Sequence, residues 1–117
     1  MRALTLCAAG KVRSAAMAWA LKDCGIEAVP AGLLSESRDF ILGIGNLVDK
    51  VILMDNDLLP KLPSELTPKL TIVDLGPDVW MNPLHRDLIR RVRSVVKLWG
   101  SEGRFSNVTV RPPSSSA

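Results

Sequence analysis

Cys7, Arg13 and Ser14 stand in the pattern C-x5-R-S, in which one side chain can attack and the others can hold what is attacked. Small residues between them, Ala8, Ala9 and Gly10, followed by Lys11 and Val12, make a loop whose backbone N–H groups can turn into one concavity. The first turn of a following helix adds partial positive charge there, so an anion can settle in it. Residues Ala8, Ala9, Gly10, Lys11, Val12, Arg13 and Ser14 are the candidate phosphate-binding set. Arg13 can present two parallel N–H groups to two phosphoryl oxygens, which lysine cannot imitate. A thiol facing a helix N-terminus and a guanidinium is favoured as thiolate, the nucleophilic form, and Ser14 can donate a hydroxyl hydrogen bond to it. The plainer reading makes Cys7 a small buried residue at a strand end. Spacing alone decides little: nine arginines among 117 residues put one six places after either of two cysteines about 15% of the time. Context decides more, because a strand precedes the loop, a helix follows it and a serine follows the arginine.

The elements around this loop read as short apolar runs alternating with amphipathic stretches. Residues 2–7 form a strand, and 14–24 a helix with Met17, Ala20, Leu21 and Cys24 on one face, stopped by Gly25. A second strand over 26–30 ends at Pro30. Ser37 caps a helix with Phe40, Ile41, Ile44, Leu47 and Val48 on one side, weakened by Gly43 and Gly45. KVILM is a third strand, 55–69 a helical turn and then loop, and LTIVDL a fourth strand. Asn82 and Pro83 serve as cap and first-turn proline of a helix to about Trp99. Apolar strands alternating with helices predict an α/β fold, a doubly wound sheet of four parallel strands in order 2-1-3-4. Ligands in such sheets sit beyond the strand carboxyl ends, where residues 7–13 fall. The expected organisation is one domain over 1–99 and a flexible tail over 100–117.

Composition narrows the function classes. A chain with 47% hydrophobic residues can bury a single core. Neither an 18-residue apolar run nor a signal-peptide core is present, so a soluble, cytoplasmic protein is expected, with no membrane partner. Two cysteines and one histidine, His85, offer no metal-ligand spacing, and no cofactor is expected. The net charge of +3 concentrates on the last helix, where Arg86, Arg90, Arg93 and Lys97 form a stripe opposite Leu84, Leu88, Val92, Val95 and Val96. The stripe is either a solvated face or an anionic docking surface, and without interleaved aromatic residues it does not predict nucleic-acid binding. Trp19 lies off the Met17 and Leu21 face, as a candidate rim or partner residue unless a neighbouring loop covers it. Cys24 reads as core.

C-x5-R-S directly after the first strand resembles the low-molecular-weight protein tyrosine phosphatases, and the likeness covers about residues 3–98. AVPAGL is similar to that family's segment after the second strand, DKVILMDNDLL to its strand with Met-Asp, and GPDVW before a terminal helix to its acid loop. Gly10 stands where the family has asparagine, Val12 where it often has a second cysteine, and Val79-Trp80 where it has Pro-Tyr. The resemblance implies a phosphomonoester hydrolase, a protein tyrosine phosphatase, with Cys7 as nucleophile and Arg13 with the loop amides on the equatorial oxygens. Asp78 would be the general acid, and a parallel sheet delivers its loop to the same edge as Cys7. Asp74, nearer the strand end, is the rival, and either aspartate can instead be a turn former beside Gly76-Pro77. Trp80 would wall the leaving group or cover the core. The expected partner is a phosphorylated protein or a small aryl phosphate, with the oligomeric state open. Two alternatives stand: a non-catalytic phosphate-binding or phosphopeptide-binding module, and an arsenate reductase on the same scaffold, which needs a resolving cysteine.

Overall fold

Strands β1 (Arg2–Cys7), β2 (Glu27–Gly32), β3 (Lys50–Leu53) and β4 (Leu70–Ile72) pair in parallel in the order β2-β1-β3-β4. The computed structural model describes residues 1–75 and 79–102. Helices α1 (Arg13–Asp23) and α3 (Arg86–Ser101) cover one face, and α2 (Arg38–Gly45) the other. This is the doubly wound α/β sheet and strand order that the sequence predicts.

Alternation along the central strands feeds two cores, because successive side chains leave a strand on opposite faces. Ala3, Cys7, Ile52 and Met54 join Met17, Leu21, Cys24, Leu88, Val92, Val96 and Trp99 on the α1–α3 side. Leu4, Leu6, Val51 and Leu53 join Ile41, Val48, Leu58, Leu62 and Leu66 on the other. Helix α1 is buried almost all round, from Arg13 through Ala18 and at Ala20 and Leu21, because the sheet takes one side and α3 the other.

Several boundaries differ from the sequence reading, each for a local reason. Strand β2 runs through Pro30 to Gly32, with Pro30 opposite Thr5. It is an edge strand, where the missing N–H costs no ladder bond on the open side. β4 stops at Ile72, after three residues. The proline-rich stretch forms two 3-10 helices, Asn56–Lys61 and Ser64–Lys69, with Pro60 and Pro68 inside them. Asn82 closes a turn, its Oδ1 accepting from Leu84 N at 2.8 Å, and the cap of α3 is His85, whose Nδ1 accepts from Asp87 N at 3.1 Å. Helix α3 extends through Ser101. Ser37 does cap α2, accepting from Phe40 N at 3.1 Å. Of that helix's apolar set, however, Phe40 and Leu47 are exposed, because α2 is short and buries only Ile41 and Gly45. Leu84 is likewise exposed, since it precedes α3 rather than lying on its buried face. Among the described residues no helix is long and apolar enough to cross a membrane, and no group of three or more metal-ligating side chains forms.

Candidate active site

The loop from Cys7 to Ser14 leaves the end of β1, a central strand, and turns straight into α1. Its entry is pinned by the neighbouring connection: Leu33 N donates to the Cys7 carbonyl at 2.9 Å, and Leu34 N to that of Ala8 at 3.0 Å. From below, Thr5 Oγ1 donates to the Ser14 carbonyl at 2.7 Å. Gly10 sits at φ +75°, in the left-handed region where a side chain is strained. A Cβ there would also lie 2.6 Å from the Ala31 carbonyl carbon and the Gly32 nitrogen. The end of β2 must in turn be bare, since a Cβ on Gly32 would meet the Ala9 carbonyl carbon at 2.5 Å. The Ala31-Gly32 pair and Gly10 are two halves of one close backbone approach.

This fold bends the loop back on the sulfur. Gly10 N donates to Cys7 Sγ at 3.2 Å, and Ser14 Oγ lies 3.1 Å from it. The Cys7 residue is 1% exposed. Ala9 and Lys11 are exposed, Ala8 and Val12 half-buried, and Val12 serves as the N-terminal flank of α1, with no side-chain cap. Arg13 is 2% exposed, and its Nη1 donates to Asp55 Oδ2 at 2.9 Å.

The sequence alone assigns Asp55 no role. Its other oxygen, Oδ1, accepts from Asp57 N at 3.0 Å and caps the first 3-10 helix, so the carboxylate is held in place while it holds Arg13. The signal was available: Asp55 follows β3, which lies beside β1, and parallel strands bring their carboxyl ends to one edge. Asp74 is exposed just past β4, and its Oδ2 accepts from Asn56 N at 3.3 Å. Asp78 lies outside the described residues. Trp80 packs against the α1–α3 core, meets His85 edge to face at 5.3 Å, and has the Arg91 guanidinium 5.7 Å above its ring. The Trp80 indole N–H is buried, with no hydrogen-bond partner among the described residues. Cys24 is buried in the same core, and Trp19 is exposed on the opposite side of α1 from Met17 and Leu21.

Sheet and loop together define an open parallel α/β protein with a cysteine and an arginine gathered at the carboxyl end of its central strand. No protein-family model and no curated protein sequence matches the chain. Among solved structures it is similar to a protein tyrosine phosphatase from Entamoeba histolytica, crystallised with Hepes in the active site. The TM-score is 0.53 at 19% identity, over 89% of this chain and 99% of that one. At that identity the likeness is one of fold.

Proposed function

We propose that the protein is a cysteine-dependent phosphomonoesterase, with phosphotyrosine in a protein or a small aryl phosphate as substrate. The observation that carries this reading is the loop itself: a sulfur held by a loop amide and a serine hydroxyl, beside a buried arginine anchored by a half-buried carboxylate. Donors preset around the sulfur suit the thiolate that attacks in the first step and leaves in the second, with no reorganisation during the reaction.

In the first step Cys7 Sγ attacks phosphorus in line, while Arg13 and the loop N–H groups hold the equatorial oxygens. The bond to the leaving oxygen breaks, and Asp78 donates its proton to that oxygen. In the second step Asp78 takes a proton from water, the water oxygen bonds to phosphorus, and the P–S bond breaks, releasing inorganic phosphate and the thiolate. Trp80 supplies apolar surface beside the leaving group. Asp74 is the less suited acid, because its carboxylate already accepts from the Asn56 N–H.

The near-complete burial of Cys7 favours a second reading, a module that grips phosphate through the loop without turning it over. Arsenate reduction has less support, because the remaining thiol, Cys24, is in the core past the far end of α1, a helix about 16 Å long. Hydrolysis of p-nitrophenyl phosphate by the wild type, Cys7→Ser and Asp78→Ala, with rapid-quench trapping of phosphorylated protein, separates these readings. The phosphatase loses all turnover in Cys7→Ser and about 10²–10⁴-fold in Asp78→Ala. An inactive wild type whose Cys7 is still protected from alkylation by phosphate is the binding module.

A further inference from the structure

Helices α1 and α3 both start at the sheet edge that carries Cys7, and where they run side by side they leave a groove of about 250 Å³ open to solvent. Its floor on α1 is Ala16 and Ala20, four residues apart, whose short side chains make the room. Trp19 forms one wall, 42% exposed, and Leu84 with Ile89 the other. The groove ends where Arg93 Nη2 approaches Asp23 Oδ2 at 3.7 Å. Across Leu84, Ile89 and Arg93 it opens into a wider depression on the outer face of α3, lined also by Arg86, Arg90 and Lys97. Arg93 thus borders the slot, and Arg86, Arg90 and Lys97 line the depression beside it, against two nearby carboxylates, Asp87 and Asp23, each in a partly solvated pair.

We infer that this groove docks an acidic protein segment that inserts one leucine-like side chain between Trp19 and Leu84 and lays carboxylates along Arg86, Arg90 and Lys97. Charge complementarity selects the occupant. The excess of cations opposes the chain's own C-terminal stretch, whose charged residues after Glu102 are Arg104 and Arg111. A large aromatic wall and an aliphatic wall facing small residues suit a desolvated anchor, with charges around it setting orientation and encounter rate. From Ala16 to Asp23 the groove is about 10 Å long, room for about three residues of extended chain. Ala16 lies one turn from Arg13, so a segment seated there continues toward the loop. That the segment belongs to the phosphorylated substrate rests on the phosphatase reading above.

The probe is a fluorescein-labelled peptide alternating glutamate and leucine, titrated with the full-length protein by anisotropy at low and at high salt. Binding is expected, weakened by salt, about tenfold weaker in the Arg86→Glu/Arg90→Glu double variant and about tenfold weaker in Trp19→Ala. Both variants replace exposed side chains away from the loop, so p-nitrophenyl phosphate hydrolysis stays at the wild-type rate. Joining the same segment to a phosphotyrosyl peptide lowers KM for the wild type and not for the double variant. Four results overturn the inference: no binding of the peptide, binding indifferent to both variants, capture of phosphatidylserine vesicles in its place, or self-association that Trp19→Ala abolishes. A protein inactive on every phosphate ester that still binds the peptide in this variant-dependent way loses the phosphatase reading and keeps the docking groove.

Discussion

Asp55 gives Arg13 its position, and the two cannot be separated cheaply. A guanidinium 2% exposed has left water, and the carboxylate at 2.9 Å, itself 15% exposed, offsets that loss. Removing one partner of such a pair leaves an uncompensated buried charge, at a cost of about 3–5 kcal/mol when burial is complete. Asp55→Ala is expected toward the lower end of that range by urea denaturation, because the aspartate keeps some solvent. Asp55→Asn, which retains a hydrogen-bond acceptor, is expected to fold better and still lose about tenfold or more in kcat/KM on p-nitrophenyl phosphate, because the arginine loses its anchor. A variant at wild-type rate would remove Asp55 from any positioning role. Gly10 is the second fixed point. Gly10→Ala combines a left-handed backbone cost of about 1–2 kcal/mol with a Cβ 2.6 Å from the β2 backbone, so it should destabilise by more than that strain alone. A urea midpoint unchanged from wild type would mean that the loop has another conformation at hand. Cys7, Arg13 and Ser14 were legible in the sequence because their chemistry is in their residue types. Asp55 was not, because its role exists only once β3 lies beside β1.

At the scale of elements, strong local signals held and weak ones gave way to neighbours. The Ser37 cap is local chemistry, a hydroxyl three residues before an N–H, and it needs no tertiary help. Ser37→Ala is therefore expected to cost about 1 kcal/mol of unfolding free energy in urea denaturation and to leave hydrolysis of p-nitrophenyl phosphate unchanged. Pro30 shows the opposite. Proline reads as a strand end, but the edge position of β2 makes its missing N–H harmless, and edge position is a property of the sheet order. The start of α3 departs from the sequence pattern for a related reason: Asn82-Pro83 has the residue types of a cap, yet a turn consumes Asn82 and passes the cap to His85. Helix α2 is tied down beyond its own residues. Lys69 Nζ donates to the Gly45 and Val48 carbonyls, both at 2.8 Å, and Arg38 pairs with Glu65 at 2.8 Å. The Glu65 carboxyl is held below its ordinary range, first by its backbone hydrogen bond and then by Arg38. A group so lowered contributes above its unfolded value and loses its contribution as pH falls through the folded one. An NMR titration should place Glu65 below an ordinary solvated glutamate, and Arg38→Ala should move it part of the way back, the backbone bond remaining.

For the whole molecule, the two faces of the sheet are unequally secured, and the site is built on the firmer one. Helices α1 and α3 bury Met17, Leu21, Leu88, Val92, Val96 and Trp99 over β1 and β3, whereas α2 fully buries only Ile41 and Gly45 and leaves Phe40 in water. A Cβ on Gly45 would lie 2.5 Å from Leu66 Cδ2, so α2 sits directly against the second 3-10 helix there. Local opening follows the element with the least buried apolar surface. Amides of α2 should therefore exchange with solvent through an opening well below the global unfolding free energy, while those of β1, β3 and α1 exchange only on global unfolding. The loop holding Cys7 should follow the second group. Its ties run to Thr5 on β1 and to Leu33 and Leu34 just beyond β2, and Leu33 and Leu34 precede the Ser37 cap, so α2 can open without breaking them. Native-state hydrogen exchange followed by NMR tests the order directly. Protection of α2 equal to that of β1 would mean that both faces unfold as one unit, and the loop would then share its stability with α2.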